Sequence, residues 1–318
     1  MKQIMDSIRN NHHMLFTDAP SELNENVQRY AAYYRLPIKQ VLYRYGYERV
    51  GDERLFVQSF RPEDVKGHIL LLHGYYDHAG VLNETIRYFV DKGFHVWTID
   101  FPGHGLSTGE RASILEFSYY AESVKEIVRR HLAKTDSPVY FIAHSTGAAA
   151  AMHYLLYDKE ASVIQKAVFI CPLVRSYRWN ASTIGIKLLK PLVSELKRVV
   201  RTNSSNEAFL RFIKNDPLQH DKVPLSWAEA LMRWNDDIKK ATPSGADVFI
   251  IQGKDDTTVD WQHNVVFLLK KFPFASVRLV EEGKHHLLNE RDEIRQDVFT
   301  LIHDYLTKKK EDDRKCPS

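Results

Sequence analysis

The chain has 318 residues, 44 Lys+Arg against 41 Asp+Glu, with 44% hydrophobic and 27% charged residues. These proportions exclude a disordered chain, a collagen-like repeat and a disulfide scaffold, and a formal charge of +3 sets up no global field for nucleic acid. The length suffices for one large domain or two smaller ones, and two cysteines, Cys171 and Cys316, suit a reducing compartment.

Met1 to Phe16 has no continuous apolar run, so no secretory signal is expected. Residues 1–35 read as an N-terminal helical extension with one amphipathic helix over Glu22–Tyr34. Val41–Arg49 and Leu55–Phe60 read as a hairpin turned at Gly51. From His68 short apolar runs alternate with helical stretches: His68–Leu72, Phe94–Ile99, Val139–Ala143, Ala167–Ile170, Val248–Gln252 and Val277–Glu281, with helices over Ile114–Leu132 and Trp261–Phe272. Unalternated β-rich runs joined by helices predict an α/β fold, a mostly parallel central sheet with helices on both faces. Val139 to Leu156 is broken by His144, Ser145, Thr146 and His153 and is no membrane span, so a soluble, cytoplasmic protein is expected. Between Val174 and Gly245 no strand-like run occurs, and Pro191, Pro217 and Pro224 punctuate a helical pattern. An insertion of that length predicts a helical cap, or lid, over residues 174–245. The core is then 36–173 with 246–307, and the charged tail 308–318 is expected to be disordered.

The strongest local signal is Val139 to Ala143 running into His144-Ser145-Thr146-Gly147 and three alanines. A nucleophile on a sharp strand-to-helix turn needs tiny neighbours two residues either side, here Ala143 and Gly147. The helix N-terminus behind it favours developing negative charge. The competing reading of Ser145 is a helix N-cap. A serine nucleophile also needs a base and a carboxylate to orient that base, in the chain order Ser, acid, His. Asp255 or Asp256 follows one predicted strand, and His285 or His286 follows the next. Asn289 reads as the N-cap of the last helix, with Glu290 in its first turn. His73-Gly74 after the first parallel strand assigns an oxyanion hole to the backbone amides of Tyr75 and Thr146. His73, Asp77 and His78 have a dinuclear-metal spacing, but Tyr75 stands where a further His is needed, so no metal is expected. Gly103, Gly105 and Gly109 miss the dinucleotide spacing and read as a tight loop.

Together, His73-Gly74 with Asp77-His78, Asp100 to Ser107, His144 to Gly147, Gln252-Gly253 with Asp256, and His285-His286 with Asn289-Glu290 resemble the α/β-hydrolase family. The closer likeness is to the group of monoacylglycerol lipases, bacterial lysophospholipases and related esterases, over His68 to Leu306. The resemblance implies Asp256 as the acid, three residues after Gly253, and His285 as the base, five before Glu290, with His286 as the alternative. It implies acyl transfer from a carboxylic ester through an acyl-enzyme on Ser145, with no metal or organic cofactor. Serine rather than aspartate at 145 argues against epoxide and carbon–halogen substrates. The absence of the iminopeptidase pattern His-Gly-Gly-Pro-Gly argues for esters over peptides. Substrate choice is expected in the cap, with Tyr76, Trp179, Trp227 and Trp234 as substrate-binding candidates, the tryptophans lining an acyl tunnel or forming the cap's own core. The stretch Ile184 to Arg201 mixes aliphatics with Lys187, Lys190, Lys197, Arg198 and Arg201, which fits either a solvated basic face or contact with an anionic lipid surface. Residues 174–245 carry 13 Lys+Arg against 7 Asp+Glu, a net of +6, leaving −3 on the rest. The expected function is hydrolysis of monoacyl lipids, lysophospholipid or monoacylglycerol. The alternatives are a short-chain carboxylesterase and a catalytically silent, ligand-binding or membrane-associated relative. The expected partners are a lipid or ester substrate and, transiently, an anionic membrane surface, with no nucleic acid.

Overall fold

The computed structural model describes residues 1–17, 23–189, 192–198 and 202–308. Glu22, Lys190, Pro191, Arg201 and the tail from residue 309, Cys316 included, therefore lie outside the described residues. The strands are β1 Leu42–Val50, β2 Glu53–Arg61, β3 Gly67–Leu72, β4 Phe94–Ile99, β5 Val139–His144, β6 Ile164–Ile170, β7 Glu195–Lys197, β8 Lys222–Pro224, β9 Val248–Gly253 and β10 Ser276–Val280. The helices are α1 Lys2–Arg9, α2 Glu25–Tyr33, α3 Asn83–Asp91, α4 Ser118–Ile127, α5 Thr146–Tyr157, α6 Trp179–Leu189, α7 Glu207–Lys214, α8 Leu225–Ile238, α9 Trp261–Lys271 and α10 Asp292–Thr307.

Eight strands form one sheet in the order β1-β2-β4-β3-β5-β6-β9-β10. The β1–β2 hairpin is antiparallel and joins β4 antiparallel, and the pairings from β4 to β10 are parallel. Gly51, at φ +56°, supplies the left-handed turn of the hairpin. The apolar runs lack alternation because both faces are covered. Leu70, Leu72, Phe141, Ala143 and Phe169 pack with α4, α5 and α9 on one side. Ile69, Leu71, Tyr140, Ile142 and Val168 pack with α2, α3 and α10 on the other.

The structure departs from the sequence reading in three elements. Helix α1 precedes the expected α2 and buries Met5 and Ile8; at eight residues it is too short for its period to stand out in the sequence. Asn289 lies in a tight 3-10 turn over Leu287–Asn289, and α10 starts at Asp292 after Arg291, which makes no side-chain cap. Asn289 is therefore not the cap of that helix. The cap interval is mostly helical but also holds β7 and β8, paired antiparallel. Three-residue strands rich in charge leave no alternation to read.

Parallel packing leaves the loops after β3, β5, β9 and β10 at one end of the sheet. Those loops carry residues 73–78, 145, 254–260 and 281–290.

Candidate active site

Ser145 stands between β5 and α5 at φ +51° and ψ −110°, backbone that a non-glycine residue adopts only when its surroundings impose it. Its N–H donates to Ile170 O at 3.0 Å, and its carbonyl accepts from Ala149 N and Leu173 N. Strand and helix meet closely behind it: a Cβ on Gly147 would stand 2.7 Å from both His73 O and Leu72 O. Ser145 is only 5% exposed.

His285 Nε2 lies 3.0 Å from Ser145 Oγ, and its Nδ1 lies 2.8 Å from Asp256 Oδ2. An ionised carboxylate only accepts, so the ring proton belongs on Nδ1 and the Nε2 lone pair faces the serine hydroxyl. Asp256 Oδ1 accepts from Thr258 N at 2.7 Å and Val259 N at 3.2 Å, while Gln252 Nε2 reaches Oδ2 at 3.2 Å. Burial pushes the Asp256 pKa up, but His285 and the two amides outweigh it and hold it below the usual carboxylate value. Asp255 is exposed. His286 turns away from Asp256, placing Nδ1 3.8 Å from Asp77 Oδ2, and burial holds its pKa down to about 3.

The Tyr75 amide follows β3 and donates to no acceptor among the described residues. Thr146 opens α5, so its N–H has no intrahelical partner. Tyr76, next after Tyr75, is at φ +67°; its ring packs on Tyr75 at 4.0 Å and it is also held by residues of the cap interval. Its hydroxyl donates to Lys222 O at 3.0 Å, its carbonyl accepts from Gln219 Nε2 at 2.9 Å, and the Arg198 guanidinium lies 3.8 Å from its ring centroid. Trp227 stacks on the Tyr75 ring at 3.8 Å and 16°. Trp234 instead packs on Phe117 and donates Nε1–H to His153 Nδ1, and Trp179 borders a separate cavity of about 210 Å³ with Arg175 and Asp260. A cavity of about 780 Å³ lies near the start of β6 and β9, away from Ser145.

Sequence reading missed three supporting groups. His144, next to Ser145, donates Nε2–H to His285 O at 3.0 Å, and its Nδ1 lies 3.6 Å from Asp77 Oδ2, so one ring links the loops that carry Ser145, His285 and Asp77. Glu290, fully buried, accepts from Lys284 N at 3.1 Å and Ser205 N at 2.8 Å, joining the loop of His285 to residues 174–245. His78 Nε2 donates to Asp216 Oδ2 at 2.9 Å, and Tyr34 Oη donates to Asp216 Oδ1 at 2.6 Å, with both side chains of the pair sealed from solvent. Their only advance signal is the chemistry-bearing residue type beside each motif.

His73, Asp77 and His78 do not converge. His73 donates Nδ1–H to Gly74 O and accepts from Phe101 N, and His78 faces Asp216. The groups able to hold an ion among the described residues are Asp77, His144 and His286, and Cys171, Asp256 and His285, each set with donor atoms within 4.8 Å.

A family model described as serine aminopeptidase, S33, matches residues 63–292. The monoglyceride lipase homolog of monkeypox virus is 24% identical over 255 residues, covering 76% of this chain and 89% of that protein. The probable lysophospholipase L2 of Haemophilus influenzae is 24% identical over 285 residues, covering 77% and 86%. A soluble variant of monoglyceride lipase from Saccharomyces cerevisiae, solved with a substrate analog, superposes with a TM-score of 0.73 at 19% identity, covering 82% of this chain and 94% of that one.

Proposed function

This chain belongs to the serine aminopeptidase S33 family of α/β-hydrolases, and from that premise we propose that it hydrolyses carboxylic esters of monoacyl lipids, lysophospholipid or monoacylglycerol. The observation carrying this reading is the buried relay of Ser145 to His285 at 3.0 Å and His285 to Asp256 at 2.8 Å. His285 Nε2 takes the Ser145 proton as Oγ attacks the ester carbonyl, and Asp256 stabilises the imidazolium. The amides of Tyr75 and Thr146 hold the oxyanion, each donor contributing about 2.7–4 kcal/mol at the transition state. Collapse breaks the ester C–O bond, and His285 passes its proton to the leaving alcohol. Water, deprotonated by His285, then attacks the acyl-enzyme and frees Ser145 and a fatty acid.

Tyr76, on the loop after β3, and Trp227 of α8, stacked on Tyr75, are the residues best placed to meet substrate. Trp179 and Trp234 lie further along the cap and core. The cap also supplies a face for an anionic membrane: α6 has no buried residue, and Ile184 and Leu188 stand exposed beside Lys187. The contact proposed is peripheral, at the cytoplasmic face; among the described residues no helix is long and apolar enough to cross a membrane.

The test is turnover of lysophosphatidylcholine, monoacylglycerol and p-nitrophenyl butyrate, with Ser145→Ala as blank and fluorophosphonate labelling of Ser145. Fast turnover of the two lipids, lost in the variant, is expected. Turnover confined to the butyrate ester would establish a short-chain esterase instead. No labelling at all would leave a silent hydrolase.

A further inference from the structure

We propose that Arg198 binds the phosphodiester of a lysophospholipid head group and so selects lysophospholipid over monoacylglycerol; the inference rests on the ester-hydrolase reading above. Arg198 follows β7, and its backbone N–H continues the β7–β8 ladder by donating to Asp221 O at 2.9 Å. The side chain is thereby directed from a fixed point in the cap onto the oxyanion loop, where it stacks on Tyr76 at 3.8 Å.

A guanidinium carries five N–H donors. Nη1 uses its two on Gln219 Oε1 at 2.8 Å and His220 O at 3.2 Å. The three on Nε and Nη2 meet no acceptor among the described residues, and no described carboxylate lies within 4.0 Å of the group. Half-buried cations without an anion are costly to hold, and this one is desolvated enough for burial to lower its pKa. The nearby acid is Asp77, whose charge Arg198 feels across the loop without touching it, and Arg198 likewise weighs on His286 beside the base. The cation therefore stands on Tyr76, the residue after the oxyanion donor Tyr75, with one fork, Nε with Nη2, meeting no described acceptor.

That fork matches two phosphate oxygens in parallel, the geometry arginine uses for phosphate recognition. In a lysophospholipid the phosphate sits on the same glycerol as the scissile ester, a few bonds from the carbonyl held at Tyr75 and Thr146. Monoacylglycerol offers only a hydroxyl there, which accepts a hydrogen bond but brings no charge to compensate the guanidinium.

The experiment compares kcat/KM for lysophosphatidylglycerol and monoacylglycerol of the same acyl chain, both in excess neutral detergent so that surface charge is equal. Wild type, Arg198→Gln and Arg198→Lys are measured. The expected result is a fall of about 10- to 100-fold in the lysophospholipid-to-monoacylglycerol ratio in Arg198→Gln, with Arg198→Lys between the two. An unchanged ratio, whether both activities fall together or neither falls, would overturn the inference and leave Arg198 as a prop for Tyr76. Inorganic phosphate added to the monoacylglycerol assay distinguishes a free-anion site. Inhibition of wild type alone with no head-group preference would overturn the lipid assignment. Failure of the wild type on both lipids would overturn the proposed function and this inference with it, whereas lipid turnover with an unchanged ratio overturns the inference alone.

Discussion

Gly147 is the residue that lets Ser145 stand where it does. A methyl group there would meet two backbone carbonyl oxygens at 2.7 Å, and backbone has no rotamer with which to yield. Gly147→Ala is therefore expected to cost about 1–3 kcal/mol of stability in urea unfolding, the usual range for overpacking. An unchanged midpoint would mean that β3 and α5 separate easily. Ala143, two residues before the serine, is fully buried in the sheet's core, so a single methyl is accommodated on that side. The same neighbourhood explains how far the triad was legible. Ser145 announces itself by local spacing, whereas Asp256 over Asp255 and His285 over His286 are legible only through the family resemblance; in the structure His285 faces Asp256 while His286 faces Asp77. The role of His144 was not legible, because its acceptor is a carbonyl 141 residues away. Losing that bond frees the His285 backbone, and a displacement of about 1 Å in a base costs roughly 100-fold. His144→Leu should lower kcat by about that factor with little change in KM, and His144→Asn, which keeps an N–H donor, should recover part of it. A normal kcat in the leucine variant would remove His144 from the positioning of the base.

At the scale of elements, residues 174–245 are fastened to the core by the apolar face of α8, which buries Trp227, Leu231 and Trp234, and, around α7, by buried polar contacts. Helix α7 has no buried residue, yet Asp216 just beyond it is held by His78 and Tyr34 in the core. Burial alone would lower the His78 pKa, but Asp216, with Asp100 and Asp77 behind it, raises it above the ordinary 6.5. Burial raises the Asp216 pKa, but His78, the Tyr34 hydroxyl and the Leu218 amide lower it below the ordinary 3.8. The His78 contribution to stability is full below pH 6.5 and is lost as pH rises through its raised value. The Asp216 contribution is full above pH 3.8 and is lost as pH falls through its lowered value. The fastening is thus complete between about pH 4 and 6.5 and loosens on either side. Limited proteolysis of the cap should be slowest in that window and should quicken toward alkaline pH. Asp216→Asn should abolish the dependence and cost about 3–5 kcal/mol, as removal of one partner of a buried pair does. Proteolysis independent of pH in the wild type would show that this pair does not hold the cap. The pairing was not readable from the chain, because His78, though part of a motif, lies 138 residues from Asp216, which sits in none. The parallel sheet was readable, because strands buried on both faces leave uninterrupted apolar runs such as Ile69 to Leu72.

For the whole molecule, the +3 total divides into +6 on residues 174–245 and −3 on the rest, a segregation visible by counting. Counting alone cannot say which aliphatics of the cap face inward, since a core-facing stripe and a lipid-facing stripe have the same helical period. The structure separates them: Trp227, Leu231 and Trp234 of α8 are buried, whereas Ile184 and Leu188 of α6 are 60% and 70% exposed. Leu192, beyond that helix, is 79% exposed. On the membrane contact proposed above, an apolar ridge on the basic part of an otherwise acidic molecule would orient the protein at an anionic bilayer, cap inward and body outward. Each Lys or Arg near such a surface contributes about 1 kcal/mol, falling off within about 8 Å at physiological salt, while the aliphatic ridge adds a component that salt does not screen. Sedimentation with phosphatidylglycerol vesicles should therefore weaken but persist at high salt, and phosphatidylcholine vesicles should retain only the weaker, salt-insensitive part. Replacing Ile184 and Leu188 together by serine should remove the salt-insensitive part while p-nitrophenyl butyrate turnover, which needs no bilayer, stays near wild type. Undiminished binding by that double variant would place the contact elsewhere on the molecule, and loss of butyrate turnover would mean that α6 serves the site below it rather than a surface above.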